Sequence, residues 1–220
     1  MTRNLFLSGG IFHPFFETSA AIDQMLAEHG ISSEICDIPT GLARLSDETF
    51  DLVTINGLAF SMTQAEKYAP LRDEWAFSID ADVQAALHDH VLQGRGVLGI
   101  HTAAICFDTW PVWGDLLGVR WVWGQSGHPA PADLHVSHDG AEFDIFDELY
   151  TGLALHPDTK VQATAHLRSG GPSEPVLTAK GNAAYLALGH DLRSVRAPGF
   201  ERLLAQAIKT TRERDNHANG

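Results

Sequence analysis

The sequence predicts an α/β fold in which helices cover both faces of a mostly parallel β-sheet. Through the first hundred residues, short apolar segments that end at glycine or polar turns alternate with amphipathic helical segments. Strands that alternate with helices in this way form parallel sheets buried on both faces. The chain has 220 residues, of which 44% are hydrophobic, so it can bury the core of one α/β domain. We expect a single domain over residues 1–211 and a flexible tail over 212–220.

The first half of the chain supplies this alternation. Its predicted elements are, in order, strand 4–8, helix 17–29, strand 31–38, strand 51–55, helix 80–93 and strand 96–100. Gly30 and Gly94 follow the two helices, as glycine often follows a helix C-terminus. The residues from Pro39 to Gly41 are expected to break the second strand. Residues 58–77 show no clear period, so we expect an inserted loop or lid there.

The second half has more predicted strand and less predicted helix. Its elements are strands 119–123, 134–136, 161–167, 175–179 and 184–188, followed by a terminal helix 200–209. Trp110, Trp113, Trp121 and Trp123 fall within one short stretch. Core packing is the more common role of tryptophan, and stacking against a sugar ring is the functional alternative.

The charge balance argues against two classes of partner. Twenty-eight acidic and 15 basic residues give a formal net charge of −13, which repels nucleic acid and anionic membranes. No apolar run approaches the roughly 20 residues that span a bilayer, and the first residues show no signal peptide, so we expect a cytoplasmic protein. Cys36 and Cys106 are too few for a disulfide framework or a zinc finger, and we expect two buried free thiols.

Three turns predict a ligand site. In parallel sheets, ligands bind beyond the carboxyl ends of the strands. The turns that contain His13, Asn56 and His101 follow predicted strands and therefore open on that edge. A histidine in such a turn can act as a general acid or base, as a hydrogen-bond donor or as a metal ligand. A surface loop or simple packing at the strand end is the structural alternative.

His101 lies in a segment with the form of a nucleophile elbow. Residues 99–103, Gly-Ile-His-Thr-Ala, follow the pattern in which a strained strand-to-helix turn displays one residue between small neighbours. The start of the helix would place backbone N–H groups beside that residue. Such turns often display serine or cysteine as a nucleophile, and here the displayed residue is a histidine.

His190 and Asp191 follow the predicted strand 184–188 in the same manner. Two strand-terminal histidines in one sheet favour a shared site. We therefore expect the side chains of His101 and His190 to lie within about 8 Å of each other, the reach of one bridging water or metal ion. Asp191 cannot easily orient the histidine beside it, but it can reach a neighbouring loop or the substrate.

Side chains that can bind metal are frequent between residues 128 and 150. They are His128, His135, His138, Asp147 and Glu148, with Tyr150 close by. Two histidines three residues apart on one strand point to opposite faces, and no H-E-x-x-H motif is present, so spacing alone assigns no metal site. The segment 147–150 is compatible with a solvated helix cap, or with an acid and a hydroxyl that face a polyol.

Taken together and in order, these segments resemble the ThuA-like (trehalose utilisation) family of the class I glutamine amidotransferase-like superfamily. The resemblance covers nearly the whole chain and is carried by residues 13–15, 94–103, 110–111, 117–118, 143–150, 188–191 and 198–200. It implies a flavodoxin-like three-layer sandwich. It places His101 where amidotransferases carry their nucleophilic cysteine, and His190 where they carry the catalytic histidine. The family is associated with carbohydrate catabolism.

The chain departs from the amidotransferase pattern at both positions. The elbow carries no cysteine, and Pro-Glu does not follow His190. Cys106 lies five residues past the elbow, too far along the chain to replace the missing nucleophile. Because imidazole is a poor substitute for a thiolate, we expect no glutamine hydrolysis through a thioester.

We therefore expect an enzyme that acts on a sugar or keto-sugar derivative, in which His101 and His190 share acid–base catalysis at pKa values near neutrality. The expected catalytic residues are His101, His190, Asp191 and Glu148, and the expected substrate-binding residues are His13, Asn56, Trp123, His128 and Tyr150. Asp191 or Glu148 would hold a histidine in its productive tautomer or bind hydroxyl groups. The alternatives are a non-catalytic sugar-binding or scaffold protein and a hydrolase with another nucleophile.

The expectations for cofactors and partners follow from the same residues. A divalent metal ion held by some of the histidines is a variant of the enzyme hypothesis, and no nucleotide cofactor is indicated. The expected partner is a small sugar ligand, with no nucleic acid and no membrane. Assembly into a homo-oligomer stays open.

Overall fold

The secondary structure alternates between strands and helices in the first half and is mainly strand in the second. The protein is described by a computed structural model that covers residues 1–212. In chain order the elements are β1 (Thr2–Gly9), α1 (Phe15–Glu28), β2 (Ile31–Asp37), α2 (Ile38–Arg44), β3 (Leu52–Gly57), α3 (Arg72–Trp75), α4 (Ala81–Leu92), β4 (Gly96–Ile100), α5 (Val112–Leu117), β5 (Val119–Arg120), β6 (Ala132–His138), β7 (Ala141–Asp147), β8 (Ala154–Leu155), β9 (Lys160–Leu167), β10 (Glu174–Lys180), β11 (Ala183–Leu186), α6 (Leu192–Val195) and α7 (Pro198–Arg212). Two 3₁₀ helices cover Glu66–Leu71 and His101–Ala104.

Nine of these strands form the central sheet, in the order β2-β1-β3-β4-β11-β10-β9-β6-β7. The pairings from β2 to β11 are parallel, and those from β11 to β7 are antiparallel. The parallel half has the strand order of flavodoxin-like folds, in which the second strand lies outside the first. The predicted flavodoxin-like α/β fold is therefore confirmed, with the sheet extended by an antiparallel half.

Helices cover both faces of the parallel half. Leu5, Phe6 and Leu7 are consecutive in β1 and all are fully buried. Consecutive apolar residues can all be buried only where both faces of a strand are covered. Both α1 and α2 contact β1. One layer contains α1, α6 and α7, in which α6 contacts both α1 and α7, and α2 contacts α4 in the other layer.

Most predicted elements of the first half are present, with two differences. A helix, α2, begins where we expected only a break, because Asp37 caps it by accepting a hydrogen bond from the Thr40 N–H and a proline is tolerated in the first turn. β3 continues through Gly57, so Asn56 lies within a buried strand and not in a turn.

The segment 58–77 is only partly loop-like. It contains a 3₁₀ helix and the short helix α3. Its first residues are core residues, since Leu58, Phe60 and Met62 are buried together with Phe15. Residues 58–65 form the expected loop, but the first of them are buried against the turn after β1.

The second half differs from its prediction mainly at residues 141–150. β7 was not predicted, because its alternation of charged and aromatic residues ends in two acidic side chains. Asp147 and Glu148 are buried, at 1% and 6% exposure. A solvated helix cap at this position is therefore wrong. The predicted strand 119–123 is reduced to β5, which pairs with β8 outside the main sheet.

Other expectations concern the thiols, the C-terminus and membranes. Cys106 is buried as expected, whereas Cys36 is only half-buried. Arg212, expected to begin a tail, ends α7, and residues 213–220 lie outside the described part of the chain. Across residues 1–212, no helix combines the length and apolar character needed to cross a membrane.

A buried histidine makes the stability of the fold dependent on pH. His90 is buried in α4 and its Nε2 lies 2.9 Å from the Gly96 carbonyl oxygen. Burial lowers the pKa of His90 to about 4. The unfolded chain binds this proton near pH 6.5, so between pH 6.5 and 4 the unfolded state binds more protons than the folded state. The free energy of unfolding therefore falls as the pH falls through this window.

We expect the His90→Gln variant to lose less stability on acidification than the wild type. The drop in the free energy of unfolding between pH 7 and pH 4 should be about 3 kcal/mol smaller in the variant than in the wild type, at roughly 1.4 kcal/mol for each pKa unit. Urea denaturation at the two pH values measures it. His88→Gln is the matched control, since His88 lies on the same helix and is only half-buried. An equal acid sensitivity of the His90→Gln variant and the wild type would contradict the assignment.

Candidate functional site

The candidate site lies at the edge of the sheet where β1, β3, β4, β7 and β11 all end. Four of these strands are mutually parallel. β7 is separated from β11 by four antiparallel pairings, so it runs in the same direction and ends at the same edge. The segments after β1, β4, β7 and β11 carry His13, His101, Glu148 and His190.

The elbow after β4 holds His101 in a strained backbone conformation. Its φ is +48°, in the left-handed region that non-glycine residues seldom adopt. Gly99 must be small, since a Cβ there would lie 2.9 Å from a Leu117 methyl carbon and 3.1 Å from the Ala103 Cβ. Strain of this kind is usually retained where the surrounding structure enforces it for function. The predicted elbow, with its small neighbours, is present.

His101 directs one ring nitrogen into the site. Its Nδ1 lies 2.8 Å from the Ala187 carbonyl oxygen, which can only accept a hydrogen bond. The proton is therefore on Nδ1, and the lone pair of Nε2 points into the site. The Nε2 of His13 lies 3.2 Å away and the hydroxyl of Tyr150 lies 3.3 Å away.

His13 reaches this position because the first turn packs against a neighbouring backbone. A Cβ at Gly10 would lie 2.5 Å from the Leu58 carbonyl oxygen, so only glycine allows the approach. The chain then turns at Phe12, whose φ is +78°. His13 is thus a central member of the cluster, although its sequence context predicted only a residue that borders the substrate.

Glu148 lies among four histidines. Its Oε2 is 3.4 Å from His101 Nε2 and 4.0 Å from His13 Nε2. Its Oε1 is 3.2 Å from His128 Nδ1 and 3.6 Å from His190 Nδ1. The ring centroids of His101 and His190 are 5.7 Å apart, within the limit expected for a shared site.

The environment shifts the pKa values of three of these groups. Burial lowers the pKa of His13, and the neighbouring His101 and His190 lower it further. Burial alone would raise the pKa of Glu148, but the close imidazoles of His101 and His13 outweigh this effect and hold it below the usual range. Burial raises the pKa of Tyr150 well above its ordinary value. The site therefore contains an ionised carboxylate and a phenol that keeps its proton.

The Asp147 side chain connects the end of β7 to the segment that follows β11. Its carboxylate accepts hydrogen bonds from the backbone N–H groups of Glu148, at 2.7 Å, and of Gly189, at 2.7 Å. It also accepts from the His190 N–H, at 3.3 Å, and from the Ser194 hydroxyl. Sequence reasoning missed this role because three of the four donors, on Gly189, His190 and Ser194, lie more than 40 residues away, after the end of β11.

Aromatic side chains form one wall of the site. The rings of Tyr150 and Trp121 are 5.2 Å apart, and His128 lies 5.4 Å from Tyr150. Trp123 lies two residues after Trp121 and stacks on Phe60. A cavity of about 270 Å³ borders Trp121 and Trp123. Trp121, which was not among the expected site residues, has no hydrogen-bond partner for Nε1 within residues 1–212.

Two expected site residues have structural contacts instead of contacts with the cluster. The Asn56 amide donates hydrogen bonds to the hydroxyls of Thr18 and Ser19 and so fixes α1 to β3. Asp191 caps α6, since its Oδ1 accepts from the N–H groups of Arg193 and Ser194. The Ala187 carbonyl oxygen sets the tautomer of His101, so neither Asp191 nor Glu148 does this for His101.

Cys106 is unsuited to nucleophilic chemistry. Burial raises its pKa to about 12, and the thiol donates a hydrogen bond to the Gly57 carbonyl oxygen at 3.1 Å. Reactive cysteines have lowered pKa values and partial exposure. This environment agrees with the expectation that Cys106 does not replace an elbow cysteine.

A larger cavity lies elsewhere. It has a volume of about 1250 Å³ and is bordered by Thr2, Leu52 and Gly96, at the amino ends of their strands. Within the described part of the chain, no histidine lines it. Ligands of open α/β sheets bind at the opposite, carboxyl edge. The histidine–glutamate cluster is therefore the candidate functional site.

The cluster has the composition of a metal centre or of an acid–base site. Ligand atoms of His13, His101, Glu148 and His190 all lie within 4.8 Å of one another. Imidazole nitrogens and carboxylate oxygens bind zinc and other divalent transition ions, and the same groups transfer protons.

Fold and site together define a flavodoxin-like α/β protein in which the elbow displays a histidine among further histidines and a glutamate. The chain belongs to the ThuA family, described as trehalose utilisation, which matches residues 5–210. No curated protein matches the chain.

Solved structures of ThuA-like proteins share this architecture. One from Parabacteroides merdae has a TM-score of 0.70 and 15% sequence identity, covering 94% of this chain and 88% of its own. Another from Bacteroides uniformis has a TM-score of 0.65 and 14% identity, covering 96% of this chain and 91% of its own. At these identities the similarity shows the fold alone.

Proposed function

We propose that this chain is an enzyme that acts on a sugar or keto-sugar derivative, with the histidine–glutamate cluster as its catalytic centre. The observation that carries the proposal is the convergence of His13, His101, Glu148 and His190 at the carboxyl edge of the sheet. A buried cluster of titratable groups with perturbed pKa values is typical of a catalytic site. The family description, trehalose utilisation, supports a carbohydrate as the substrate class.

The groups in the site suit proton transfer on a polar substrate. The Nε2 lone pair of His101 can accept a proton, since the proton of this ring is on Nδ1. The Tyr150 hydroxyl lies beside it and keeps its own proton, so it can donate a hydrogen bond to a substrate oxygen. A keto group would make the neighbouring C–H bond acidic enough for an imidazole base, which favours a keto-sugar over an unmodified one.

The aromatic wall supports the choice of a sugar. The ring of Trp121 packs against those of Tyr150 and His128 beside the cluster, and Trp121 and Trp123 also border a cavity of about 270 Å³. Tryptophan faces pack against the C–H faces of sugar rings, and indole N–H groups donate to hydroxyls. The unpartnered Nε1 of Trp121 is such a donor.

Turnover of a panel of sugars and keto-sugars tests the proposal. We expect the wild type to convert at least one member, and His101→Asn and His190→Asn to lower kcat/KM by about 100-fold or more while sugar binding is retained. His135→Asn is the matched control, because His135 is a half-exposed histidine paired with Asp144 and Glu142 outside the site.

Two results would count against this function. If the wild type binds sugars but converts none of them, the protein is a sugar-binding or scaffold protein. If turnover occurs and neither site substitution lowers it, the catalytic centre lies elsewhere.

A further inference from the structure

We infer that His13, His101, His190 and Glu148 bind one divalent transition-metal ion, with zinc as the ion that their chemistry fits. This inference adds a metal ion to the proposed catalytic centre. It rests on the proposed function only where it gives the ion a role in turnover. Binding of the ion itself follows from the geometry of the four side chains, and it can be tested without a substrate.

The spacing of the side chains is the first argument. Two ligands held about 2.0–2.1 Å from one tetrahedral ion lie about 3.3 Å apart. The Nε2 atoms of His13 and His101 are 3.2 Å apart, and His101 Nε2 is 3.4 Å from Glu148 Oε2. Two ligands of one ion can be at most about 4.2 Å apart at these bond lengths. The four ligand atoms lie within 4.8 Å of one another, so the site needs only a small inward adjustment.

Unpartnered buried atoms are the second argument. The Glu148 side chain is 7% exposed, and its Oε2 has no hydrogen-bond partner within residues 1–212. The Nδ1 of His190 also has none in the same range. Buried polar atoms without partners are costly, and a site that leaves several of them side by side is typical of a ligand position. A cation at the centre of the cluster would satisfy the carboxylate and the histidines together.

The orientation of His101 is the third argument. A metal-binding histidine usually donates its other ring N–H to a carbonyl or carboxylate, which fixes the ring and its tautomer. The Nδ1 of His101 makes this contact with the Ala187 carbonyl oxygen at 2.8 Å. The strained elbow further restricts the ring, so the Nε2 lone pair already points into the cluster without a bound ion.

The donor set selects the class of ion. Three imidazole nitrogens and one carboxylate oxygen suit zinc and neighbouring divalent transition metals. Calcium and magnesium prefer sites built from oxygen atoms. The nearby Cys106 thiol is bonded to the Gly57 carbonyl oxygen and adds no soft ligand.

Metal binding changes the roles within the proposed enzyme. His13, His101 and His190 would hold the ion and not transfer protons. His128, which contacts Glu148 and has a side chain that is 39% exposed, is then the histidine left free for acid–base chemistry. Tyr150 remains a hydrogen-bond donor beside the ion.

Titration of the tag-free, chelator-treated protein with Zn²⁺, in competition with a chromophoric chelator, tests the inference. We expect one ion per chain, and an affinity that falls about 100-fold or more in both Glu148→Gln and His13→Asn. His135→Asn should bind as the wild type does, which separates this site from the other histidines. Elemental analysis of the untreated protein gives the bound ion, and circular dichroism shows that each variant is folded.

The outcomes separate this inference from the proposed function. No saturable zinc binding, or equal affinity in wild type and in the folded double variant Glu148→Gln/His13→Asn, would overturn the metal site. Turnover by metal-free protein would overturn the role of the ion in turnover and leave the acid–base enzyme standing. Zinc binding at this site without turnover of any sugar would overturn the proposed function and leave the metal site standing.

Discussion

Replacement of Asp147 by alanine is expected to have the largest single effect on this protein, on stability and on the site together. The carboxylate accepts four hydrogen bonds in a fully buried position, three of them from backbone N–H groups. Removal leaves these donors unpartnered, so we expect the free energy of unfolding to fall by about 3 kcal/mol or more. Urea denaturation at neutral pH measures it.

The same substitution should loosen the site, because two of the donors belong to Glu148 and His190. Partners that orient metal ligands typically contribute 10- to 100-fold in affinity, and we expect a loss of this size in zinc affinity. Asp147 itself is a positioning residue, since it contacts the backbone of the ligands and not the ion. Asp147→Asn keeps the volume and one acceptor oxygen, so it should fold and show an intermediate loss.

Asp144→Ala is the matched control for these variants. Asp144 lies on the same strand, β7, but its exposed carboxylate pairs with His135 and Arg168 at the surface. Exposed ion pairs contribute about 1 kcal/mol or less. If Asp147→Ala and Asp144→Ala lowered the free energy of unfolding by the same small amount, Asp147 would have no special role in joining the strand ends.

Replacement of Gly10 by alanine is expected to have the second largest effect. Gly9 and Gly10 have nearly the same φ, +118° and +120°, which side chains rarely tolerate. A Cβ at Gly10 would lie 2.5 Å from the Leu58 carbonyl oxygen, whereas a Cβ at Gly9 meets nothing within 4 Å. Both variants bear the backbone strain of about 1–3 kcal/mol, and only Gly10→Ala adds a collision with a buried backbone.

The comparison of the two variants therefore isolates the close approach. We expect Gly10→Ala to be less stable than Gly9→Ala by a further 1–3 kcal/mol or so, the usual effect of overpacking. Because Gly10 begins the turn that carries His13, zinc affinity should fall more in Gly10→Ala as well. Denaturation curves and the zinc titration measure both effects. Equal losses in the two variants would show that the contact with Leu58 does not position the turn.

The local pattern was enough to predict the elbow. A buried strand, a displayed histidine and small neighbours all lie within residues 96–104, so short-range sterics decide their conformation. The positive φ of His101 and the tight fit of Gly99 agree with that prediction. The pairing of His101 with His190 was also predictable, because both follow strands of the parallel half and such strands end at one edge.

Glu148 was among the expected catalytic residues, but its position beside His101 could not be derived from the local pattern. It depends on β7, a strand that periodicity missed, and on an even number of antiparallel pairings that brings its end to the site. Asn56 and Asp191, also expected in the site, make structural contacts of two different kinds. The Asn56 side-chain amide nitrogen binds hydroxyls of α1, which lie 37 and 38 residues away. Asp191 instead caps α6 through contacts only two and three residues away, a local signal that sequence reasoning overlooked.

The sequence by itself determined the class of fold, the family and the two strand-terminal histidines, because these follow from local periodicity and from motifs within a few residues. Only the tertiary structure decided that His13, Glu148 and the carbonyl of Ala187 meet His101, and that Asp147 joins the strand ends. These contacts span 42 to 88 residues of chain. The physical reason is that sheet order and strand direction set them, and both depend on how the whole hydrophobic core packs.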